Sequence, residues 1–121
     1  MRKLALNDEI LLSVQQPARY IGNEMNAVMK DPDRVSIRFA MCFPDVYEIG
    51  MSHLGMQILY DMFNHREDVY CERVFSPWTD LDQQMRQQHI PLFALESQDP
   101  IRDFDFLGFT IQYEMCYTNI L

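Results

Sequence analysis

The sequence predicts an α/β fold whose sheet is doubly wound and mostly parallel. Every second residue from Val35 to Phe43 is apolar, which is the pattern of a strand with one buried face. After Pro44 the period changes, because apolar residues then recur every three or four positions, as they do on one face of a helix. The same order of strand and helix repeats further along the chain. Such alternation is typical of parallel strands joined by crossover helices.

The lead-in before this strand, residues 1–33, is predicted to contain a helix and an extended segment. Asn7 can cap the helix, because its side chain can accept a hydrogen bond from a backbone amide of the first turn. Asp8 and Glu9 follow in that turn, where carboxylates oppose the helix dipole. Pro17 lacks an amide hydrogen and is expected to end the helical segment.

Residues 34–121 are predicted to form the main domain, of the flavodoxin or Rossmann type. Ser52 is positioned to cap the helix that follows the first strand. The elements predicted further along are a strand at 69–75, a helix from Thr79, a brief strand at 92–95, a strand at 104–113 and the first turn of a helix at 118–121. Because the sheet has few strands and the last helix has barely begun, we expect the domain to be truncated at its C-terminus.

Composition and charge exclude several classes of partner. The net charge is −8, from 18 acidic and 10 basic residues, and the basic residues are scattered, so nucleic acid is not expected to bind. The apolar runs are far shorter than the roughly 20 residues that span a bilayer, and the start lacks the apolar core of a secretory signal. We therefore expect a cytoplasmic protein without a membrane segment.

The three cysteines, Cys42, Cys71 and Cys116, are 29 and 45 positions apart. This spacing fits neither a disulfide framework nor a close pair of metal ligands. We interpret them as reduced core residues, and we predict no metal-ligating residue in the chain.

Two polar loops follow predicted strands and are the candidate binding sites. In a parallel sheet, ligands bind beyond the carboxyl ends of the strands, near the point where the strand order reverses. The loop after the first strand supplies the candidate cofactor-binding residues Asp45, Tyr47, Glu48, Gly50, Ser52 and His53. The loop after the last strand supplies Tyr113, Glu114, Thr118 and Asn119. If these two strands are neighbours, both loops face one cleft. No catalytic residue is predicted.

Several of these residues have a structural alternative. His53 can bind a ligand or pack, partly buried, at the start of a helix. Asp45 and Glu48 can orient a bound group or cap a helix. Gly50 can let a ligand approach the backbone or let a helix pack closely on the sheet. The residues themselves leave these alternatives open.

The spacing Asp45-x-Tyr47-x-x-Gly50 resembles D-x-H-x-x-G, the motif by which flavodoxin-like cobalamin-binding domains present an imidazole to cobalt. Tyrosine stands here at the histidine position, and a neutral phenol is a poorer cobalt ligand than an imidazole nitrogen. The resemblance therefore implies cobalamin as a cofactor, but one that would bind without an axial ligand from position 47.

Four stretches, at 17–26, 43–55, 72–78 and 113–121, together resemble the N-terminal region of a radical SAM protein family with a cobalamin-binding-like leading domain. The resemblance implies a following barrel in the same chain, whose C-x-x-x-C-x-x-C loop binds a [4Fe-4S] cluster that cleaves S-adenosylmethionine. That cysteine motif is absent from these 121 residues. The resemblance thus implies a leading domain that binds cobalamin or shapes the substrate cleft, without activity of its own. The alternative is a stand-alone α/β module that binds a small ligand or docks a protein.

Overall fold

The computed structural model describes residues 6–121, and within them it shows a three-stranded parallel sheet flanked by helices. Residues 1–5, at the start of the predicted lead-in, lie outside the described residues. The strands are β1 (Ile37–Phe43), β2 (Val69–Phe75) and β3 (Phe106–Phe109). The helices are α1 (Asp8–Ser13), α2 (Tyr47–Met51), α3 (Leu54–Asn64), α4 (Thr79–Gln88) and α5 (Tyr117–Ile120). Short 3₁₀ helices span Pro17–Arg19, Pro32–Arg34, Ile101–Asp103 and Glu114–Cys116.

β1 is the central strand, because the strand order is β2-β1-β3 and both pairs are parallel. Phe39 illustrates this arrangement, since it is paired with Cys71 of β2 on one side and with Phe106 of β3 on the other. The chain passes from β1 to one edge of the sheet and then crosses to the other edge, so the strand order reverses between β1 and β3. The predicted α/β fold with a parallel sheet is confirmed.

One face of the sheet is covered by α3. The helix and the strands bury a common apolar cluster made of Met41, Phe43, Met56, Tyr60 and Cys71. The predicted cap of this helix is wrong, because His53 and not Ser52 precedes the first turn. The Nδ1 atom of His53 accepts a hydrogen bond from the Met56 amide at 3.1 Å. Ser52 instead ends α2, where its hydroxyl donates to the Glu48 carbonyl at 2.8 Å.

The opposite face is covered by the segment that follows α4. Its buried cluster consists of Ala40, Cys42, Val74 and Ala94, with Leu92, Ile101 and Phe104 packed against it. A separate cluster lies beside it, where Leu81 and Met85 of α4 pack against Ile10 of α1. Chain segments therefore cover both faces of the sheet, as a doubly wound arrangement requires.

Two predicted strands differ from the structure. Residues 92–95 form no regular strand; Phe93 makes a single antiparallel bridge to Pro100, and the Leu95 amide donates to the Arg73 carbonyl of β2 at 2.8 Å. β3 is shorter than the predicted 104–113. The Thr110 amide still donates to β1, but β1 ends at Phe43, so later residues have no neighbouring strand with which to pair.

A buried ion-pair network joins the lead-in, β2 and the segment after α4. The Arg73 side chain is 3% exposed, and its guanidinium donates to Glu96 at 2.6 Å and to Glu24 at 2.7 Å. Glu96 also accepts hydrogen bonds from the Arg73 amide at 2.8 Å and from the Tyr60 hydroxyl at 3.0 Å. Burial raises the pKa of Glu96, and the nearby charge of Arg73 opposes that rise. Both carboxylate oxygens of Glu96 thus have donors, which offsets part of the cost of burying them.

A second buried network lies on the other face of the sheet. The Arg38 guanidinium donates to Glu72 at 2.5 Å and to Asp99 at 3.0 Å, and it lies 4.3 Å from the centre of the Phe104 ring. Glu72 in turn accepts a hydrogen bond from the Ser97 amide at 2.9 Å. The two networks therefore attach residues 96–99 to β1 and β2 from both faces.

Replacing Arg73 by leucine is expected to lower the free energy of unfolding by about 3–5 kcal/mol, because the buried Glu96 loses its counter-ion. Urea titration of the variant and the wild-type protein measures this difference. Arg66→Leu is the control, since Arg66 pairs with Asp68 on the surface and its loss should leave the midpoint almost unchanged. If Arg73→Leu unfolds at the same urea concentration as the wild type, the ion-pair network does not stabilise the fold.

The stability of the protein should also depend on Glu24 in acid. Burial would raise the pKa of Glu24, but hydrogen bonds from Tyr47 and Arg73 outweigh it and hold the pKa below its usual range. A carboxyl group of this kind stabilises the fold fully above its unfolded pKa of about 4.3 and loses that contribution as the pH falls through the lower folded value. The Glu24→Gln variant should therefore lose less stability than the wild type below about pH 4.3. Urea unfolding midpoints measured at several pH values between neutral and acid test this. Glu67→Gln is the control, because Glu67 is exposed. An equal fall of the midpoint with pH in Glu24→Gln and in the wild type would refute the prediction.

Candidate functional site

The candidate site lies at the carboxyl ends of β1 and β3. These strands are neighbours, and the strand order reverses between them, so the loops that follow them leave the sheet side by side. Open parallel sheets bind ligands at such a position, because the connections diverge there and leave a crevice. The two predicted loops therefore lie next to each other, as expected for loops that follow neighbouring strands.

The two loops are joined by hydrogen bonds at what we call the loop junction, formed by Pro44, Asp45, Tyr113 and Asn119. The Tyr113 hydroxyl donates to Oδ2 of Asp45, and the Asn119 side-chain amide donates to the Pro44 carbonyl at 2.9 Å. Asp45 is oriented by its own loop, since Oδ1 accepts from the Val46 amide at 2.7 Å. The hydrogen bond to Asp45 raises the pKa of Tyr113. The loop junction thus holds residues 113–119 across the end of β1.

Tyr47 and Glu48 belong to a different part of the surface. The Tyr47 hydroxyl donates to Glu24 at 2.6 Å. The Tyr47 ring packs edge-on against the Phe75 ring, with 5.4 Å between the ring centroids. Burial, together with the carboxylate of Glu24, raises the pKa of Tyr47 to about 12. Glu48 pairs with Arg19 at 2.6 Å. Both side chains therefore bind the lead-in, and neither contacts the loop junction.

Gly50, Ser52 and His53 have structural contacts in this region. A Cβ atom added at Gly50 would lie 2.1 Å from a carbon of the Phe75 ring. With a glycine at position 50, α2 can therefore pack against β2 at a distance that a side chain at this position would prevent. Ser52 ends α2 and His53 caps α3, and the His53 ring lies 5.6 Å from the Phe43 ring. For these residues the structural alternatives account for the observed contacts.

A cleft of about 770 Å³ opens between α4 and the carboxyl ends of the strands. Its apolar lining includes Cys42, Val74, Met85, Leu92 and Phe109. Its polar lining includes Thr79, Asp82, Arg86, His89, Thr118 and Asn119. The volume and the mostly apolar lining are typical of sites that bind small organic molecules.

Thr118 and Asn119 are the predicted site residues that line this cleft. Tyr113 and Asp45 do not line the cleft; they are hydrogen-bonded to each other in the loop junction. Glu114 is exposed to solvent. The prediction missed Phe109 and the cleft-facing side of α4. The helical spacing of α4 was a usable signal, because Asp82 lies three positions before Met85 and His89 lies four positions after it, near the same helix face.

The cysteines are distributed through the core. Cys42 lies on β1, Cys71 on β2 and Cys116 just before α5, and all three are buried. Burial raises the pKa values of Cys42 and Cys71 to about 12, which disfavours the thiolate that binds metals. Among residues 6–121, no group of three or more histidine, cysteine or acidic side chains is arranged to hold a metal ion. In the same range, no helix has the length and apolar character of a membrane span.

Comparison with known proteins gives one match. A family model described as "Radical SAM proteins, N-terminal" matches residues 55–121, which is more than half of the chain. The matched region runs from the first turn of α3 through β2, α4 and β3 to the loop that joins the junction. No curated protein and no solved structure matches the chain.

The Tyr113→Phe variant tests the loop junction. Loss of the hydroxyl removes the donor to Asp45, so the backbone amides of residues 113–119 should exchange with deuterium severalfold faster, because the segment opens more often. Tyr117→Phe is the matched control, since Tyr117 is exposed and four positions away in the same segment. Unchanged exchange in Tyr113→Phe would show that the junction does not hold this segment.

Proposed function

Because the chain belongs to the family of N-terminal regions of radical SAM proteins, we propose that it is the leading domain of a radical SAM enzyme and that its cleft forms one wall of the substrate-binding space. The observation that carries this proposal is the position of the cleft, at the carboxyl ends of the strands where the strand order reverses. In the parent protein, a [4Fe-4S] cluster and S-adenosylmethionine supply the radical chemistry. This domain contributes binding and exclusion of water.

The side chains of the cleft suit that role. Its floor is apolar, so a bound molecule would be shielded from water on the side of the sheet. Thr118 and Asn119 form part of the rim, and the bond from Asn119 to Pro44 holds that rim at the end of β1. The apolar floor and this polar rim can bind and orient a substrate, which is the role that we assign to the domain.

Cobalamin ligated through position 47 does not fit this geometry. The Tyr47 hydroxyl already donates to Glu24, its ring packs on Phe75, and it does not line the cleft. The high pKa of this phenol also disfavours the phenolate that could bind cobalt. We therefore propose a substrate-cleft role, and cobalamin bound without a ligand from position 47 remains the alternative that the sequence resemblance implies.

Exposed apolar side chains support a neighbouring domain in the parent enzyme. Phe106 is 56% exposed and Leu107 is 44% exposed, although both lie on β3 in the sheet. An exposed edge strand of this kind favours contact with another part of the protein. The same observation favours the second candidate, a stand-alone docking module, which predicts that the domain functions without any radical SAM partner.

The test uses the intact radical SAM enzyme that contains this domain, reconstituted with iron and sulfide. Dithionite supplies the electron that reductive cleavage needs, and the assay measures methionine released from S-adenosylmethionine. A deproteinised cell extract that contains the substrate should increase the rate. Thr118→Trp places a large side chain at the rim of the cleft, so the ratio of stimulated to basal rate should fall by about fivefold, equivalent to about 1 kcal/mol.

Tyr117→Trp is the matched control, because Tyr117 is exposed and does not line the cleft. Equal ratios in Thr118→Trp and Tyr117→Trp would reject the cleft as part of the substrate site. A corrin absorption band that stays with the protein after gel filtration removes free cobalamin would instead support cobalamin binding. Loss of that band in Tyr47→Phe would assign the ligand to position 47, and its retention would show binding without that ligand.

A further inference from the structure

The floor of the cleft presents an aromatic ring to solvent. Phe109 is 42% exposed although it is paired with Cys42 in the sheet, and it lines the cleft together with the buried Val74 and Met85. An exposed ring on an apolar floor offers a face or edge on which another ring can stack. This surface is suited to a planar ligand.

The rim of the cleft is electrically different from the rest of the protein. The chain carries 18 acidic residues, all within the described part, and Asp82 is the one that lines the cleft. Its charge is matched by Arg86, whose Nε atom lies 2.9 Å from the carboxylate. His89 adds an imidazole at the end of α4. The side chains that line the cleft therefore sum to a charge close to zero in a chain whose formal net charge is −8, and they do not repel a single negative charge.

Nucleotides and other polyphosphates do not suit this cleft. The first turn of α4, whose Thr79 and Asp82 line the cleft, carries the two carboxylates of Asp80 and Asp82. These carboxylates occupy the positive end of the helix dipole that a phosphate would need. The neighbouring loop contains Ser76 and Pro77 and no glycine, so its backbone cannot form the close cradle of a phosphate-binding loop.

From the ring on the floor and the balanced charge of the rim, we infer that the cleft binds an aromatic compound that carries at most one negative charge. The cavity volume of about 770 Å³ accommodates a fused two- or three-ring system. The ring lies on Phe109, and a charged group lies towards Arg86 and His89. The inference rests on the proposed function in one respect, that the cleft is a ligand site, and it adds the class of the ligand.

Two fluorescent probes test this inference on the 121-residue chain. 8-Anilinonaphthalene-1-sulfonate has the ring system and one negative charge, and N-phenyl-1-naphthylamine has the rings without the charge. Phe109→Ala should weaken the binding of both probes by about tenfold, equivalent to about 1.4 kcal/mol. Arg86→Gln should weaken the binding of the sulfonate severalfold and leave the uncharged probe unaffected.

Each variant has a matched control. Phe106→Ala removes the same ring from the same strand, but Phe106 stacks on Phe39 on the opposite face. Arg66→Gln removes a surface arginine that also pairs with an aspartate. Both controls should retain wild-type affinity. Thr118→Trp, at the exposed rim, gives a second way to block the cleft if Phe109→Ala loses its far-ultraviolet circular dichroism.

The outcomes separate this inference from the proposed function. Equal losses for Phe109→Ala and Phe106→Ala would mean that the probes bind exposed apolar strand residues in general, and the inference would be overturned. Failure of both probes to bind the wild-type chain would also overturn it. The methionine-release assay on the intact enzyme uses the natural substrate and no probe, so it can still support the substrate-cleft role in that case.

Discussion

Arg73 connects three parts of the chain that are far apart in sequence. It lies in the middle of β2, and its guanidinium binds Glu24 of the lead-in and Glu96 of the segment after α4. A buried guanidinium is unstable without partners, so these two segments must dock for the sheet to bury β2. The docked lead-in holds Tyr47 away from the cleft through Glu24, and the docked segment supplies Leu92 to the cleft lining. The geometry of the site therefore depends on a salt-bridge network that lies outside it.

The alternation of strands and helices was sufficient to predict the fold class. β1 is a strong example, because its apolar positions recur with a period of two and both its faces are covered. The period is a property of neighbouring residues, so it can be read directly from the sequence. The brief strand predicted at 92–95 was wrong for the opposite reason. Its Leu95 amide donates to Arg73, far earlier in the chain, and its Ala94 amide donates to Asp99 in the turn that follows; the pattern of apolar residues reports neither bond.

The candidate site was predicted in part. The two loops were expected to face one cleft if their strands were neighbours; β1 and β3 are neighbours, and Thr118 and Asn119 line the cleft. Tyr47 was grouped with Asp45 because they are two positions apart, yet a helix begins at Tyr47 and turns its side chain towards Glu24. Phe109 was overlooked because a phenylalanine in a strand is usually buried, and its exposure depends on which segments cover the sheet. Tertiary contacts decide both cases.

The loop junction also has a consequence for the order in which the protein folds. Tyr113 and Asp45 are separated by 68 positions, and Asn119 and Pro44 by 75. Contacts between such distant positions form slowly, because a long loop must close before they contribute any stability. During synthesis β1 and β2 can pair well before residue 119 leaves the ribosome, whereas the cleft has no rim until then. The nascent chain can thus pair β1 with β2 before it has a cleft, so a ligand of the cleft can stabilise the folded domain but cannot guide this first pairing.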